Sequence, residues 1–184
     1  MSFHRRISRI TSGIALHCRQ IDRRSTERFL TAISKAKRIF IAGAGRSGLV
    51  ARAFAMRLMH LGFRVHVVGE VTTPGAKPGD LLAIVSGSGQ THSMSCLMGR
   101  GKASGAKVVA ITADPCSPIA KGADIVLHIK GKTAKDLAKG GLKLPLGTPF
   151  ELSTMVFLDS VIEELTHRLR KDESDMRERH ANLE

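Results

Sequence analysis

Two short segments of this chain combine residue types that hold an anion close to a backbone. The first is Ser86-Gly87-Ser88-Gly89-Gln90-Thr91. Ser86, Ser88 and Thr91 bring hydroxyl donors, and Gly87 and Gly89 let the main chain turn sharply and approach a ligand. A buried strand is expected before this segment and a helix after it, so free N–H groups and a positive dipole end point at the same spot. The chemistry expected is a cradle for a singly or doubly charged oxyanion; the alternative is a plain Gly/Ser turn. The second segment is Gly43-Ala44-Gly45-Arg46-Ser47-Gly48. It satisfies the G-x-G-x-x-G spacing of a dinucleotide-binding turn, and Glu70 follows the next strand near the position where a ribose would be read. Ser47 fits a phosphate or a sugar hydroxyl equally well. Arg46 is either a charge beside a phosphate or a surface residue, and the three glycines are also explained by close strand-to-helix packing. A dinucleotide site leaves the hydroxyl-rich loop without a role, which weighs against it.

Three residues have the chemistry to move protons: Glu151, His60 and His180. Thr148-Pro149-Phe150-Glu151 reads as a capping box, with Thr148 at N-cap, Pro149 at N1 and Glu151 at N3. A carboxylate in that place is stabilised as the anion, whereas a base that accepts a proton from carbon needs burial to offset the dipole. His60 ends the helix that follows the first loop, just before Gly62. It is a dipole partner ahead of a Gly cap, or an acid that assists a carbonyl oxygen across a subunit interface. His180, in the tail, is either exposed or folded over a site. Glu70 touches a sugar hydroxyl or merely ends its strand. The remaining histidines show no ligand spacing. The cysteines, Cys18, Cys96 and Cys116, are odd in number with no C-x-x-C pair, which argues against a disulfide framework or a zinc site. No metal is expected.

The elements that must position these residues are legible as five short runs rich in β-branched residues: Arg38–Ala42, Arg64–Val68, Leu81–Val85, Lys107–Thr112 and Asp124–Ile129. Most are apolar without clean alternation, as in parallel strands buried on both faces. Helical patterns separate most of them: Phe3, Ile7, Ile10 and Ile14; Phe29, Leu30 and Ile33; Leu49 through Leu61. Strand and helix in alternation predict a doubly wound α/β fold with a five-stranded parallel sheet. With strand order 2-1-3-4-5, strands one and three are adjacent, and both anion-holding segments lie at their carboxyl ends, where such sheets bind ligands. Residues 130–147 form a Gly- and Lys-rich connector, a last long helix runs from near Thr148 to about Arg170, and 172–184 form a charged tail. The expected organisation is a single domain over 1–184, with N-terminal helices over 1–36, an α/β core over 37–170 and a tail over 171–184.

A chain of 184 residues, 42% hydrophobic and 24% charged, has ordinary globular composition. Its formal net charge is +13, and residues 1–38 hold ten Lys/Arg against only Asp22 and Glu27. A basic face of this kind binds nucleic acid, but Trp and Tyr are absent and only 7 Phe remain for stacking on bases. The preferred reading is a solvated helical face that also draws in anionic substrates; nucleic acid is not the expected partner. Arg5, Arg6 and Arg9 interrupt the apolar stretch at the N-terminus, so no signal peptide is read there. No uncharged apolar run is long enough for a membrane span. The expected compartment is the cytoplasm.

Taken with their surroundings, the two loops resemble the sugar isomerase (SIS) domain family, and within it the branch acting on hexulose 6-phosphates. The matching stretches are GAGRSG (43–48), FAMRLMHLGF (54–63), VGEVTTPG (68–75), DLLAIVSGSGQT (80–91), LPLGTPFE (144–151) and RHANL (179–183). The resemblance implies a parallel sheet between helices and a homotetramer. It implies the conversion of D-arabino-hex-3-ulose 6-phosphate to fructose 6-phosphate through an enediolate, with no cofactor. That places the chain in the ribulose monophosphate route of formaldehyde fixation, functionally coupled to a hexulose-6-phosphate synthase. It carries phosphate binding to Ser47 and to the Ser86, Gly87, Ser88, Gly89, Gln90, Thr91 loop, and the base to Glu151. Other members act on arabinose 5-phosphate or sedoheptulose 7-phosphate, and others are sugar-phosphate sensors in transcription regulators. The residues ahead of Arg38 leave too little room for a helix-turn-helix domain and its linker.

Overall fold

The computed structural model describes residues 2–131, 142 and 144–183. Most of the Gly- and Lys-rich connector expected over 130–147 lies outside the described residues.

The chain opens with two amphipathic helices. Helix α1 (Phe3–Arg19) starts at Ser2, whose hydroxyl accepts from the Arg5 amide, and α2 (Arg23–Lys35) starts at Asp22, whose carboxylate accepts from the Ser25 amide at 2.7 Å. Of the Phe3, Ile7, Ile10, Ile14 stripe only Ile14 is buried; Phe3 is 72% exposed. Helix α2 buries Phe29, Leu30, Ala32 and Ile33 against the sheet. Strand β1 (Ile39–Gly43), helix α3 (Gly45–His60) and the short strand β2 (Val65–Val67) follow. Then come β3 (Leu81–Val85), α4 (His92–Ala103), β4 (Lys107–Thr112), α5 (Pro118–Gly122) and β5 (Ile125–His128). Helix α6 (Thr148–Arg168) returns to pack on α3 and α1, and α7 (Glu173–Arg177) closes the described chain.

The five strands form one all-parallel sheet, as the sequence predicts, in the order β2-β1-β3-β4-β5 that places strands one and three side by side. The expected strand limits hold to within a residue at most ends. Side chains alternate between two cores. Ile39, Ile41, Leu81, Ala83, Val85, Val109 and Ile111 face α2, α3 and α6. Phe40, Ala42, Leu82, Ile84, Val108 and Ala110 face α4 and α5. Both faces are covered, which is why these strands read as continuous apolar runs. β1 pairs with β3 so that Gly43 is level with Val85. The two anion-holding segments therefore leave the sheet side by side at its carboxyl edge. Where α3 leaves β1, a side chain on Gly48 would meet the Gly43 carbonyl oxygen at 2.7 Å. Close strand-to-helix packing thus accounts for those two glycines without a dinucleotide. No helix among the described residues is long and apolar enough to cross a membrane.

Candidate active site

The loop after β3 is fixed from below. Ser86 donates its amide to Ile111 O at 3.0 Å, extending the sheet by one residue. Gly89 N–H donates to Ser86 O at 3.0 Å, closing a turn in which Gly89 has φ +57°, a conformation that favours glycine. Its neighbour across the sheet supplies further anchors: Ala113 N and the Thr112 hydroxyl both donate to Gly87 O, at 3.0 and 3.1 Å. The hydroxyls of Ser86 and Thr91 are 3.4 Å apart, and the Gln90 amide donates to Ser88 Oγ at 3.3 Å. A segment that is rigid in this way presents its donors before a ligand arrives, which lowers the ordering cost of binding.

Three helix N-termini converge on this loop without any side chain to satisfy them. Helices α3, α4 and α6 begin after Ala44, Thr91 and Gly147, and none of those residues makes a side-chain capping bond. The other described helices are all capped, by Ser2, Asp22, Ser117 and Asp172. Open N–H groups and the positive ends of three dipoles make a strong anion site. They border one cleft of about 560 Å³, lined by Arg46 and Ser47 from α3, by Ser86, Gly87, Ser88 and Thr91, and by Pro145 to Glu151 at the start of α6, Pro149 excepted. Gly89 and Gln90 shape the turn and do not line the cleft.

Glu151 does not cap its helix. Gly147, not Thr148, is the N-cap residue, and Pro149 lies in the first turn, so the capping box read from the sequence is absent. The carboxylate turns into the cleft instead, where Arg46 Nε stands 2.7 Å from Oε2. The two meet as an ion pair, and Oε2 is buried with no well-formed hydrogen bond among the described residues. The Glu151 side chain is 12% exposed, and burial pushes its carboxyl above the ordinary carboxylate value despite the opposing pull of the Arg46 guanidinium. A carboxylate so placed accepts a proton more readily near neutral pH than an exposed one.

Other residues singled out from the sequence lie elsewhere. Glu70 pairs with Arg52 at 3.1 Å beside the end of β2, outside the cleft. His60 is buried, 3% exposed, at the far end of the 16-residue helix α3. That is roughly 22 Å from the α3 N-terminus at 1.5 Å per residue. His180 stacks on it, ring centroids 5.3 Å apart and planes at 21°. Burial, then Arg57 and His180, hold the His60 pKa below the ordinary imidazole value. The Gly cap read after His60 is present, since Gly62 follows with φ +92° and donates to Met59 O. The structure adds residues that the sequence reading passed over. Phe150 packs its ring on Gly87, and His17 of α1 lies 3.2 Å from Ser153 Oγ, two residues after Glu151.

A slightly larger cleft, about 610 Å³, lies at the opposite end of the sheet beside α2. Its acids are tied up, Glu27 by Arg168 and Asp80 by Arg38, each at 2.6 Å. It offers no carboxylate for proton transfer.

A serine-rich cradle facing a buried carboxylate belongs to a recognised lineage. Residues 32–141 match the family model described as SIS domain. The chain is 44% identical over 158 residues to the 3-hexulose-6-phosphate isomerase of Methylomonas aminofaciens, covering 86% of this chain and 87% of that one. It is 44% identical over 154 residues to the protein of that name from Bacillus subtilis, covering 83% of each. A crystal structure from Methanococcus jannaschii, for which a molecular function of 3-hexulose-6-phosphate isomerase was inferred, superposes with a TM-score of 0.86 at 38% identity, covering 97% of this chain and 98% of that one. With a sheet order, two loops and a sequence all of one kind, the chain belongs to the SIS domain family.

Proposed function

We propose that this chain interconverts D-arabino-hex-3-ulose 6-phosphate and fructose 6-phosphate, with the phosphate in the Ser86–Thr91 cradle and Glu151 as the base. The observation that carries this reading is the cleft itself: three helix N-termini without side-chain caps open onto it, and a largely buried carboxylate of raised proton affinity lines it from the first turn of α6. Relatives at 44% identity carrying the corresponding name support the choice of sugar.

The reaction moves a carbonyl from C3 to C2. Glu151 takes the proton from C2, and the electron pair of that C–H bond forms the C2=C3 double bond while O3 gains a proton. The same carboxyl returns its proton to C3, O2 loses its proton, and the C2 carbonyl forms. Ser47, Ser86, Ser88 and Thr91 hold the phosphate, and open helix N–H groups stabilise its charge. A second group must pass the proton between O2 and O3. His60 and His180 suit that task in a neighbouring copy, since within one chain they lie at the far end of α3. Leu49, Met56 and Met59 on α3 and Val156 on α6 are exposed apolar side chains on two helices that pack together, a surface fit for assembly into the tetramer.

The test is a coupled assay. Ribulose 5-phosphate, formaldehyde and a hexulose-phosphate synthase are supplied, and fructose 6-phosphate is measured. Product above the enzyme-free blank is expected. Its absence, with turnover of arabinose 5-phosphate instead, would reassign the sugar.

A further inference from the structure

We propose that Arg46 is exchanged between two anions: it neutralises Glu151 while the cleft is empty and moves to the phosphate of an arriving substrate, so that the base is released only in a loaded site. This rests on the reading of the cleft as a sugar-phosphate site with Glu151 as its base.

The geometry at Arg46 favours exchange over a fixed ion pair. Arg46 belongs to the first turn of α3 and lines the same cleft as Ser47 and the Ser86–Thr91 loop. Its side chain is 56% exposed, whereas that of Glu151 is 12% exposed, so the arginine is the mobile member of the pair. Its shortest approach to the carboxylate is through Nε, at 2.7 Å. The paired outer nitrogens, which form the fork that binds phosphate oxygens two at a time, make no hydrogen bond among the described residues. A phosphate monoester carries a charge of roughly −1.5 to −2 near neutral pH, against −1 for the carboxylate. It therefore competes for the guanidinium, and competes from a position already marked out by three helix ends.

The consequence for Glu151 follows from the charges around it. On α3 it faces Arg46. From α1, His17 and Cys18 reach Ser153, two residues along α6 from Glu151 and so on a different face, and Lys130 after β5 acts on His17. The loop after β3 contributes hydroxyls only. Arg46 is thus the one described cation in contact with the carboxylate. When it leaves, burial is no longer opposed, and the carboxylate becomes a stronger base at the moment a substrate proton lies within reach. An empty site keeps the carboxylate charged and paired, and so avoids the cost of an isolated buried charge.

Inorganic phosphate is the probe, so that the result does not depend on turnover. Glu151 is followed in the full chain by carbon NMR of labelled glutamate carboxyls, with Glu151→Gln identifying its signal, and phosphate occupancy is followed by phosphorus NMR. A phosphate beside Glu151 raises its proton affinity by repulsion alone, so the deciding quantity is the excess in the wild type over Arg46→Ala. Saturating phosphate should raise the proton affinity of Glu151 by about tenfold more in the wild type than in the variant, which should start from the higher value. Arg46→Gln, which keeps much of the side chain's bulk, should behave like Arg46→Ala. Equal responses in wild type and variants, or no response in a phosphate-bound wild type, would overturn the exchange. If phosphate fails to bind, both the exchange and the phosphate reading of the cleft fall. If the excess is found but Glu151→Gln retains turnover, Glu151 is not the base and the exchange stands.

Discussion

The Phe150 ring lies against Gly87, so the first turn of α6 and the loop after β3 hold each other in place. A side chain on Gly87 would meet Phe150 Cδ1 at 2.9 Å, closer than non-bonded carbons tolerate. Glu151 is the next residue. Gly87→Ala should therefore displace the base relative to the cradle and lower kcat by roughly ten- to a hundredfold, since errors of about 1 Å are that costly in proton transfer. Thermal melting should move only a few degrees, because a chain of this size shifts by about 2–4 °C per kcal/mol. Kinetics and calorimetry on the same sample check both halves.

Glu151→Gln should lower kcat by about 10²- to 10⁴-fold, the usual range for a lost general base. In the wild type, kcat/KM should fall as pH drops through the raised pKa of Glu151, above the ordinary carboxylate range. The effect on stability has the opposite sign. A carboxyl whose pKa is raised by folding favours the folded state at low pH, and that contribution is lost as pH rises through the folded value. At pH 7 the glutamine variant should thus melt at or above the wild-type temperature, with the difference vanishing below the ordinary carboxylate value. A variant that melts lower at pH 7 would contradict the direction of the shift.

Arg38 and Asp80 predict the reverse dependence. Asp80 is buried, and although burial pushes its carboxyl up, bonds from Arg38 at 2.6 and 3.2 Å and from the Lys77 amide at 2.8 Å outweigh this and hold it below the ordinary value. Its contribution is present at neutral pH and is lost as pH falls through that lowered value. Asp80→Asn breaks a largely buried pair and should cost about 3 kcal/mol, a fall in melting temperature of roughly 10 °C. Isomerase activity below the melting point should be unchanged, since the pair lies at the opposite end of the sheet.

If His60 serves a neighbour's cleft, Glu151→Gln and His60→Ala proteins, each inactive alone, should regain activity when refolded together. Mixed assemblies then contain sites built from one intact half of each. Failure of the mixture to exceed its parts would confine His60 to its place in the His60–His180 stack.

Much of the fold was readable in the sequence because the strands are buried on both faces: Leu81–Val85 and Lys107–Thr112 carry no polar residue to interrupt the pattern beyond their ends. The strand order was a supposition of that reading, since no residue specifies it, and the sheet has that order. The start of α6 was misread for an instructive reason. Thr148, Pro149 and Glu151 have the spacing of a self-contained cap, and local spacing says nothing of Arg46, more than a hundred residues away, which draws the carboxylate off. The partnership of His60 with His180 is equally invisible, since it depends on the tail returning to the end of α3. The apolar stripe of α1 was legible as a stripe, but among the described residues only Ile14 of it is fully buried, so periodicity showed the face without showing what it meets.

The bare starts of α3, α4 and α6 make the ligand a piece of the architecture. Elsewhere the chain closes its helices with its own side chains; here that closure is left to whatever anion arrives. A missing cap is worth about 1 kcal/mol, so an empty protein is looser at these three ends than it need be. Occupancy by phosphate should slow amide hydrogen exchange at residues 45–47, 92–94 and 150 together, leaving the first turns of α1 and α2 untouched. The protein is then most ordered while it works, and it loosens each time product departs.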